Sequence, residues 1–169
     1  MAKAKAKSSV RTPSRIMPRK RGKQAARPNR RALSSAKAKA KSRAPHRFTV
    51  SHHRDEDFRI GLRRYAKYRD LGMNKATGGM VQAHVIRFLP PCRPEDVSKR
   101  HYHDIDFQMV YVLKGWIKTE LDGQGAHVMR AGSCWIQPPR IAHVVLDYSD
   151  DCEVLEVVLP ADFTTVELE

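Results

Sequence analysis

The first 47 residues contain no acidic side chain, although they carry 17 of the 32 lysines and arginines. They also contain no aromatic residue, since the first is Phe48. A segment this poor in large apolar side chains cannot bury enough surface to offset the entropy lost on ordering. Residues 1–47 are therefore predicted to be a disordered Lys/Arg/Ala-rich tail. They also lack the apolar h-region that a secretory signal peptide has.

The remaining residues, 48–169, lack any basic excess, because 15 lysines and arginines face all 18 acidic side chains. The formal net charge of +14 therefore belongs to the tail, and the body is mildly acidic. Only three cysteines occur, without a CxxC pair, which favours free thiols in a reducing compartment and predicts a cytoplasmic protein. No apolar run approaches the roughly 20 residues of a membrane span.

The tail is predicted to bind nucleic acid without sequence preference. Its densest basic run holds Arg19, Lys20, Arg21 and Lys23, which would neutralise phosphates and release counterions. The absence of aromatic side chains removes the stacking platforms that single-strand readers use. Three other interpretations stay open: a solvated charged tail without a partner, a basic targeting peptide, or a translation start further along, at Met17.

Residues 48–78 are predicted to form a helical or arm-like segment that packs on the following domain. Apolar residues at offsets of three and four between Phe58 and Leu71 favour an amphipathic helix over Arg54–Leu71. Gly72 suits the position after its last turn, whereas Gly61 would weaken its middle. A strand or an irregular arm reaching a partner subunit is the alternative.

From Gly79 onwards the hydrophobic pattern has period 2, so residues 79–169 are predicted to form an all-β domain. Apolar, β-branched runs are separated by Gly/Pro turns at spacings of about 8–12 residues, which is typical of an antiparallel sandwich or barrel. Lys114-Gly115 indicates a tight hairpin. The predicted strands are 81–89, 108–113, 116–121, 127–129, 133–137, 142–146 and 153–159.

His101, His103 and His143 are the candidate metal ligands. His101 and His103 share one face of an extended strand, because strand side chains alternate. His143 follows 40 residues later, after several strand-like runs. If those runs close into one sheet, the three imidazoles converge on one divalent metal. His84 lies mid-strand and is interpreted as a hydrogen-bonded core residue rather than a ligand.

These residues resemble the motifs of the cupins, a family of small β-barrels of jelly-roll type. The first cupin motif is Gly-x5-His-x-His-x3,4-Glu-x6-Gly, and its spacing fits His101, His103, Gln108 and Gly115. The second is Gly-x5-Pro-x-Gly-x2-His-x3-Asn, and its spacing fits Gly132, Pro138 and His143. The resemblance covers about Gly79–Leu159. The chain departs from the motifs at Glu95, Gln108, Arg140 and Asp147, which stand for Gly, Glu, Gly and Asn.

The resemblance implies that Gln108 takes the fourth ligand position, beside His101, His103 and His143, on Fe, Mn, Ni or Zn. Gln108 lies five residues after His103, so a bulge or turn within Asp104–Phe107 is required to bring it to the same side. Asp104 or Asp106 is the alternative source of an oxygen ligand. With Gln108 inward, Tyr111 faces the opposite side of its strand.

Arg87, Gln137 and Arg140 are predicted to line a pocket for a small oxygen-rich or carboxylate ligand. Cupins include oxygenases and isomerases, so either chemistry is implied if the chain is an enzyme. The alternative is a non-catalytic ligand-binding or structural cupin, held at nucleic acid by the tail. Family analogy also implies a homodimer.

Overall fold

A computed structural model describes residues 45–61, 63–97 and 99–169. Residues 1–44 lie outside the described residues, and so do the predictions for this part of the tail, including its nucleic-acid contacts. The elements are a 3-10 turn at Asp55–Asp57, β1 Arg59–Ile60, β2 Ala66–Asp70, α1 Met73–Thr77, β3 Gln82–Phe88, β4 His101–Asp104, β5 Phe107–Lys114, β6 Trp116–Leu121, β7 Gly125–Arg130, β8 Cys134–Ile136, β9 His143–Tyr148, β10 Glu153–Leu159 and β11 Thr164–Glu167.

The strands form two antiparallel sheets, as the all-β prediction requires. The first has the order β1-β2-β3-β10-β5-β8, and the second has the order β11-β4-β9-β6-β7. Inward side chains of both sheets meet in one apolar core, because alternate residues of each strand face the other sheet. The buried core residues are Tyr65, Ala66, Ile86, Phe88, Val110, Val112, Ile117, Tyr148, Cys152 and Val154.

The helix predicted over Arg54–Leu71 is wrong. That stretch forms the 3-10 turn and strands β1 and β2, and β2 pairs with β3 inside the first sheet. Tyr65 and Ala66 are buried in the core, so tertiary pairing overrides the local amphipathic pattern. Gly72 does not follow a helix; it is the N-cap of α1 and has a left-handed φ of 75°.

The hairpin predicted at Lys114-Gly115 is also wrong. β5 belongs to the first sheet and β6 to the second, so this turn carries the chain from one sheet to the other. Gly115 has a φ of 65° and lies against the turn at Ser149. The sequence predicts the tight turn correctly but not the partners of the two strands that it joins, because strand pairing depends on distant segments.

The break predicted between the histidine strand and Gln108 is confirmed. β4 ends at Asp104 and β5 begins at Phe107, and the two strands lie in different sheets. The backbone N–H of Asp106 donates to the carbonyl of Leu159, which holds the bend. Gln108 therefore faces inward despite its odd offset, and Tyr111 lies on the outer side as predicted.

None of the helices in the described ranges is long and apolar enough to cross a membrane.

Candidate metal centre and ligand cavity

Three histidines converge on the inner side of the second sheet. β4 and β9 pair antiparallel with His101 directly opposite His143, and His103 follows on the same face of β4. The ring of His143 lies 4.3 Å from that of His101 and 5.1 Å from that of His103, between ring centroids. One potential ligand atom from each histidine lies within 4.8 Å of the other two. The convergence predicted from the spacing is therefore confirmed.

For two of the histidines, a hydrogen bond to a backbone carbonyl determines which ring nitrogen carries the lone pair. The Nδ1–H of His101 donates to the carbonyl of Lys99 at 2.8 Å, and that of His143 donates to Ile141 at 2.9 Å. Donation from Nδ1 leaves the lone pair on Nε2, which is the atom available to a metal. Nδ1 of His103 lies 2.9 Å from the hydroxyl of Thr165, which can donate or accept.

The three imidazoles are neutral at physiological pH. Burial lowers the pKa of His103 to about 4, with a smaller lowering by the neighbouring His101. Burial likewise lowers the pKa of His143 to about 4 and shifts that of His101 in the same direction. Metal binding requires the unprotonated imidazole, so burial prepares this cluster for coordination without competition from protons.

The donor set fits a divalent transition metal. Imidazole nitrogen suits Zn, Fe, Ni, Cu and Mn, and nitrogen ligands of such ions lie about 2.1 Å from the metal. Two nitrogens bound to one metal are therefore at most about 4.2 Å apart. The histidine nitrogens lie within 4.8 Å of one another, so small side-chain rotations bring them to this distance. Three protein nitrogens leave further positions open, which is typical of reactive rather than structural sites.

A polar chain of four side chains, two buried and two partly buried, continues from the histidines into the first sheet. Glu156 on β10 accepts from Nε2 of His84 and from Nε2 of Gln108, each at 2.6 Å. Oε1 of Gln108 in turn accepts from the amide of Gln137 at 3.2 Å, and the same amide donates to Nε2 of His143 at 2.8 Å. The orientation of each amide therefore follows from the carboxylate, which can only accept.

Glu156 carries the negative charge that Gln108 lacks. Burial alone would raise the pKa of this carboxyl, but the hydrogen bond and charge of His84, with smaller contributions from His103 and Gln108, bring the pKa below its ordinary value. Glu156 is thus ionised in the core and paired with His84. The interpretation of His84 as a hydrogen-bonded core histidine is confirmed.

A cavity of about 390 Å³ lies between the two sheets, and the three histidines form part of its wall. The polar chain lines another part, while much of the remainder is apolar, including Tyr65, Ile86 and Phe88. Arg63, from the segment between β1 and β2, also lines it. A mostly apolar pocket with a few convergent polar groups is the usual form of a small-molecule site.

The comparisons with known proteins agree with this architecture. The family model for the cupin domain matches residues 92–158. This chain contains a cupin domain. No curated protein sequence matched the chain.

Among solved structures, the polyketide cyclase RemF from Streptomyces resistomycificus resembles this chain with a TM-score of 0.56 and 16% identity, over 71% of this chain and 86% of that one. KdgF from Halomonas sp. gives 0.52 and 19%, over 65% and 94%. The oxalate decarboxylase of Lactobacillus farciminis, in its formate complex, gives 0.52 and 16% over 67% of this chain. The chain spans only 34% of that enzyme's length. At these identities the likeness shows the fold alone.

The predicted ligand-binding residues lie in different places. Gln137 is buried and lines the cavity. Arg87 and Arg140 do not line it, because ion pairs hold both at the surface: Arg87 with Glu153 at 2.5 Å, and Arg140 with Asp104 at 2.9 Å. The second pair also holds Asp104 away from the histidines.

Two cavity residues, Glu156 and Arg63, were not predicted from the sequence. Glu156 had a recognisable signal, since alternation along β10 places it on the same side as the buried Val154 and Val158. A charged residue on a buried face requires a partner and is a functional candidate. Arg63 had no such signal, because it lies in a turn whose position depends on β2.

Proposed function

We propose that His101, His103 and His143 bind one divalent metal and that the adjoining cavity binds a small oxygen-rich or carboxylate-bearing molecule. The observation that carries this proposal is the convergence of three neutral imidazoles on a cavity wall, with ligand atoms within 4.8 Å of one another. Two of the rings, those of His101 and His143, are held by backbone carbonyls in the tautomer that places the lone pair on Nε2, where that of His143 accepts from Gln137.

Gln108 is proposed as the fourth protein ligand. Glu156 holds its Nε2, so its amide oxygen is the atom left for a metal. That oxygen accepts from Gln137 through a bond of 3.2 Å, which is long enough to be exchanged for a metal contact. A neutral amide binds more weakly than the carboxylate of the cupin motif, so the site would retain one more positive charge.

A metal bound here would supply Lewis acidity toward a carbonyl or enolate oxygen, or would activate dioxygen. The chain's own residues would bind and orient the substrate: Gln137 offers an amide beside the histidines, and the apolar wall excludes water. Isomerase-type and oxygenase-type chemistry both fit these groups. The names of the similar structures, an oxalate decarboxylase and a polyketide cyclase, support chemistry on oxygen-rich small molecules.

The test is the metal content of the full-length protein purified without added metal. We expect about one equivalent of Fe, Mn, Ni or Zn per chain, and loss of that metal in His101→Ala and His143→Ala. His127→Ala is the matched control, because this histidine is exposed on β7 and should leave the content unchanged. Retention of metal in both triad variants would disprove the site.

A non-catalytic, ligand-binding or structural cupin is the second candidate. One observation favours it: the amide of Gln137 donates to Nε2 of His143 and thus occupies the lone pair that a metal needs. Gln108 also favours this candidate, because its neutral amide binds a metal more weakly than a carboxylate would. A wild-type protein that is free of metal, and whose stability does not respond to added Zn²⁺ or Mn²⁺, would support this candidate over the first.

We also propose a homodimer in the cytoplasm, with a tail that binds nucleic acid. Support for the dimer comes from the outer side of the first sheet, where the exposed Tyr111, Leu113 and Ile136 offer apolar surface. Support for the location comes from three cysteines without a disulfide among them. Support for the nucleic-acid contact comes from the charge of the tail alone.

A further inference from the structure

We propose that Arg63 is the anion-binding residue of the cavity and that the ligand it takes is a small monocarboxylate with an apolar body. This inference rests on the proposed function, in that it specifies the molecule that the cavity binds. Arg63 lies outside the region that the cupin family model matches, between β1 and β2. Its assignment follows from its own contacts.

The guanidinium of Arg63 is only partly satisfied. Nη1 donates to Glu167 of β11 at 2.8 Å, but Nη2 is buried and has no acceptor among the described residues. The side chain is 13% exposed, so bulk water does not supply that acceptor. A buried charged donor without a partner is unfavourable, and a ligand oxygen in the adjoining cavity would satisfy it.

The charges of the cavity select a monoanion. Among the described residues that line it, Arg63 is the only arginine or lysine. Glu167 already balances part of its charge, and the half-buried Glu156 adds a negative charge on the cavity wall. A phosphate dianion needs several cationic donors, whereas one carboxylate oxygen matches the one guanidinium nitrogen, Nη2, that has no acceptor among the described residues.

The rest of the cavity wall determines the chemistry expected for the part of the ligand beyond its carboxylate. Tyr65, Ile86 and Phe88 are buried and apolar, so the part of the molecule beyond the carboxylate is expected to be aliphatic or aromatic. Arg63 pairs with Glu167, which lies opposite His101 in the register of β11 and β4, and Arg63 and the histidines line the same cavity. A carboxylate held by Arg63 would therefore lie beside the histidine cluster.

Binding of benzoate and butanoate to the full-length protein, measured by calorimetry against benzamide and butanamide, tests this assignment. We expect each carboxylate to bind at least tenfold more tightly than its amide. Arg63→Gln should remove that difference, and Arg63→Lys should retain part of it. Arg64→Gln is the matched control, because Arg64 is the exposed neighbour and should behave as wild type.

Glu167→Gln provides a variant in which Arg63 stays in place. Loss of the competing carboxylate should increase benzoate affinity severalfold, and an unchanged or weakened affinity would count against the proposal. A carboxylate preference that survives Arg63→Gln would overturn it, as would Arg63-dependent binding of inorganic phosphate that exceeds that of benzoate. Titrations with and without Zn²⁺, alongside the metal content of each variant, separate a failure here from a failure of the metal site.

Discussion

Arg140 shows how a single residue can depart from a motif while the backbone keeps the motif's shape. It occupies the second glycine position of the Pro-x-Gly motif and has a φ of 60°, the left-handed region that glycine adopts without strain. Its backbone N–H donates to the carbonyl of His103 at 3.0 Å, which connects the loop to the histidine strand. Its side chain reaches Asp104 in an exposed ion pair.

Arg140→Gly is expected to stabilise the protein by about 1 kcal/mol, because it removes the left-handed strain of a side-chain-bearing residue. The lost ion pair is exposed and contributes only about 0–1 kcal/mol. Chemical denaturation measures the difference. Arg140→Ala is the control, since it removes the same ion pair but keeps the strain, and it should be no more stable than wild type. Equal destabilisation in both variants would contradict this account.

At the scale of elements, the crossing from β5 to β6 determines which residues face the cavity. The chain passes from one sheet to the other at Gly115, so inward residues of β5, such as Gln108, face inward residues of β6, such as Thr119. A hairpin at this point would have placed both strands in one sheet. The cavity therefore depends on a turn that brings the chain across the gap between the sheets.

Gly115→Ala should destabilise the protein by about 2 kcal/mol or more, because a Cβ at this position would overlap Ser149 and approach the backbone of Cys152. Ser149 cannot move freely, since its hydroxyl accepts from the backbone N–H of Trp116 and contacts Asp151. Gly123→Ala is the matched control: its φ of 70° is similar, but nothing lies within 4 Å of the added carbon.

That control should lose only about 1 kcal/mol, the cost of placing alanine in a left-handed conformation. Urea midpoints of the two variants give the comparison. Similar losses at the two positions would show that the close approach at the crossing is not important.

At the scale of the whole molecule, burial of three imidazoles makes folding sensitive to acid. His103 and His143 have a pKa of about 4 in the folded protein and about 6.5 in an unfolded chain, and that of His101 is also lowered. Between these values the unfolded chain binds more protons than the folded one. The stabilisation is therefore complete above about pH 6.5 and is lost as pH falls toward 4.

The free energy of unfolding of the chelator-treated protein should fall from pH 6.5 to pH 5, with unfolding taking up about one to two protons. Denaturation series at several pH values measure the slope. His143→Gln should show a shallower slope than wild type, and His127→Gln, whose ring is exposed, an unchanged one. A flat profile for wild type would show that the imidazoles are not held neutral.

Because the positive charge of the chain is concentrated in the tail, we expect the tail to dominate binding to DNA. Replacement of Arg19, Lys20, Arg21 and Lys23 by Gln should weaken duplex DNA binding and reduce the slope of log K against log salt by about 3 to 4. Four exposed basic residues of the body, Arg64, Lys75, Arg93 and Arg130, provide a variant of equal charge change. If both variants lowered the slope equally, the tail would have no special role.

Composition and local periodicity were enough to predict the charge division and the alternation of most strands, and the spacing of the cupin-like motifs was enough to predict the approach of three distant histidines. Even the break between His103 and Gln108 followed from an odd offset in a period-2 pattern. Three features emerged only from the folded molecule: residues 66–70 form a strand, β5 and β6 lie in different sheets, and Arg63 lines the cavity. Those outcomes depend on which distant segments bury one another, and local periodicity carries no information about that choice.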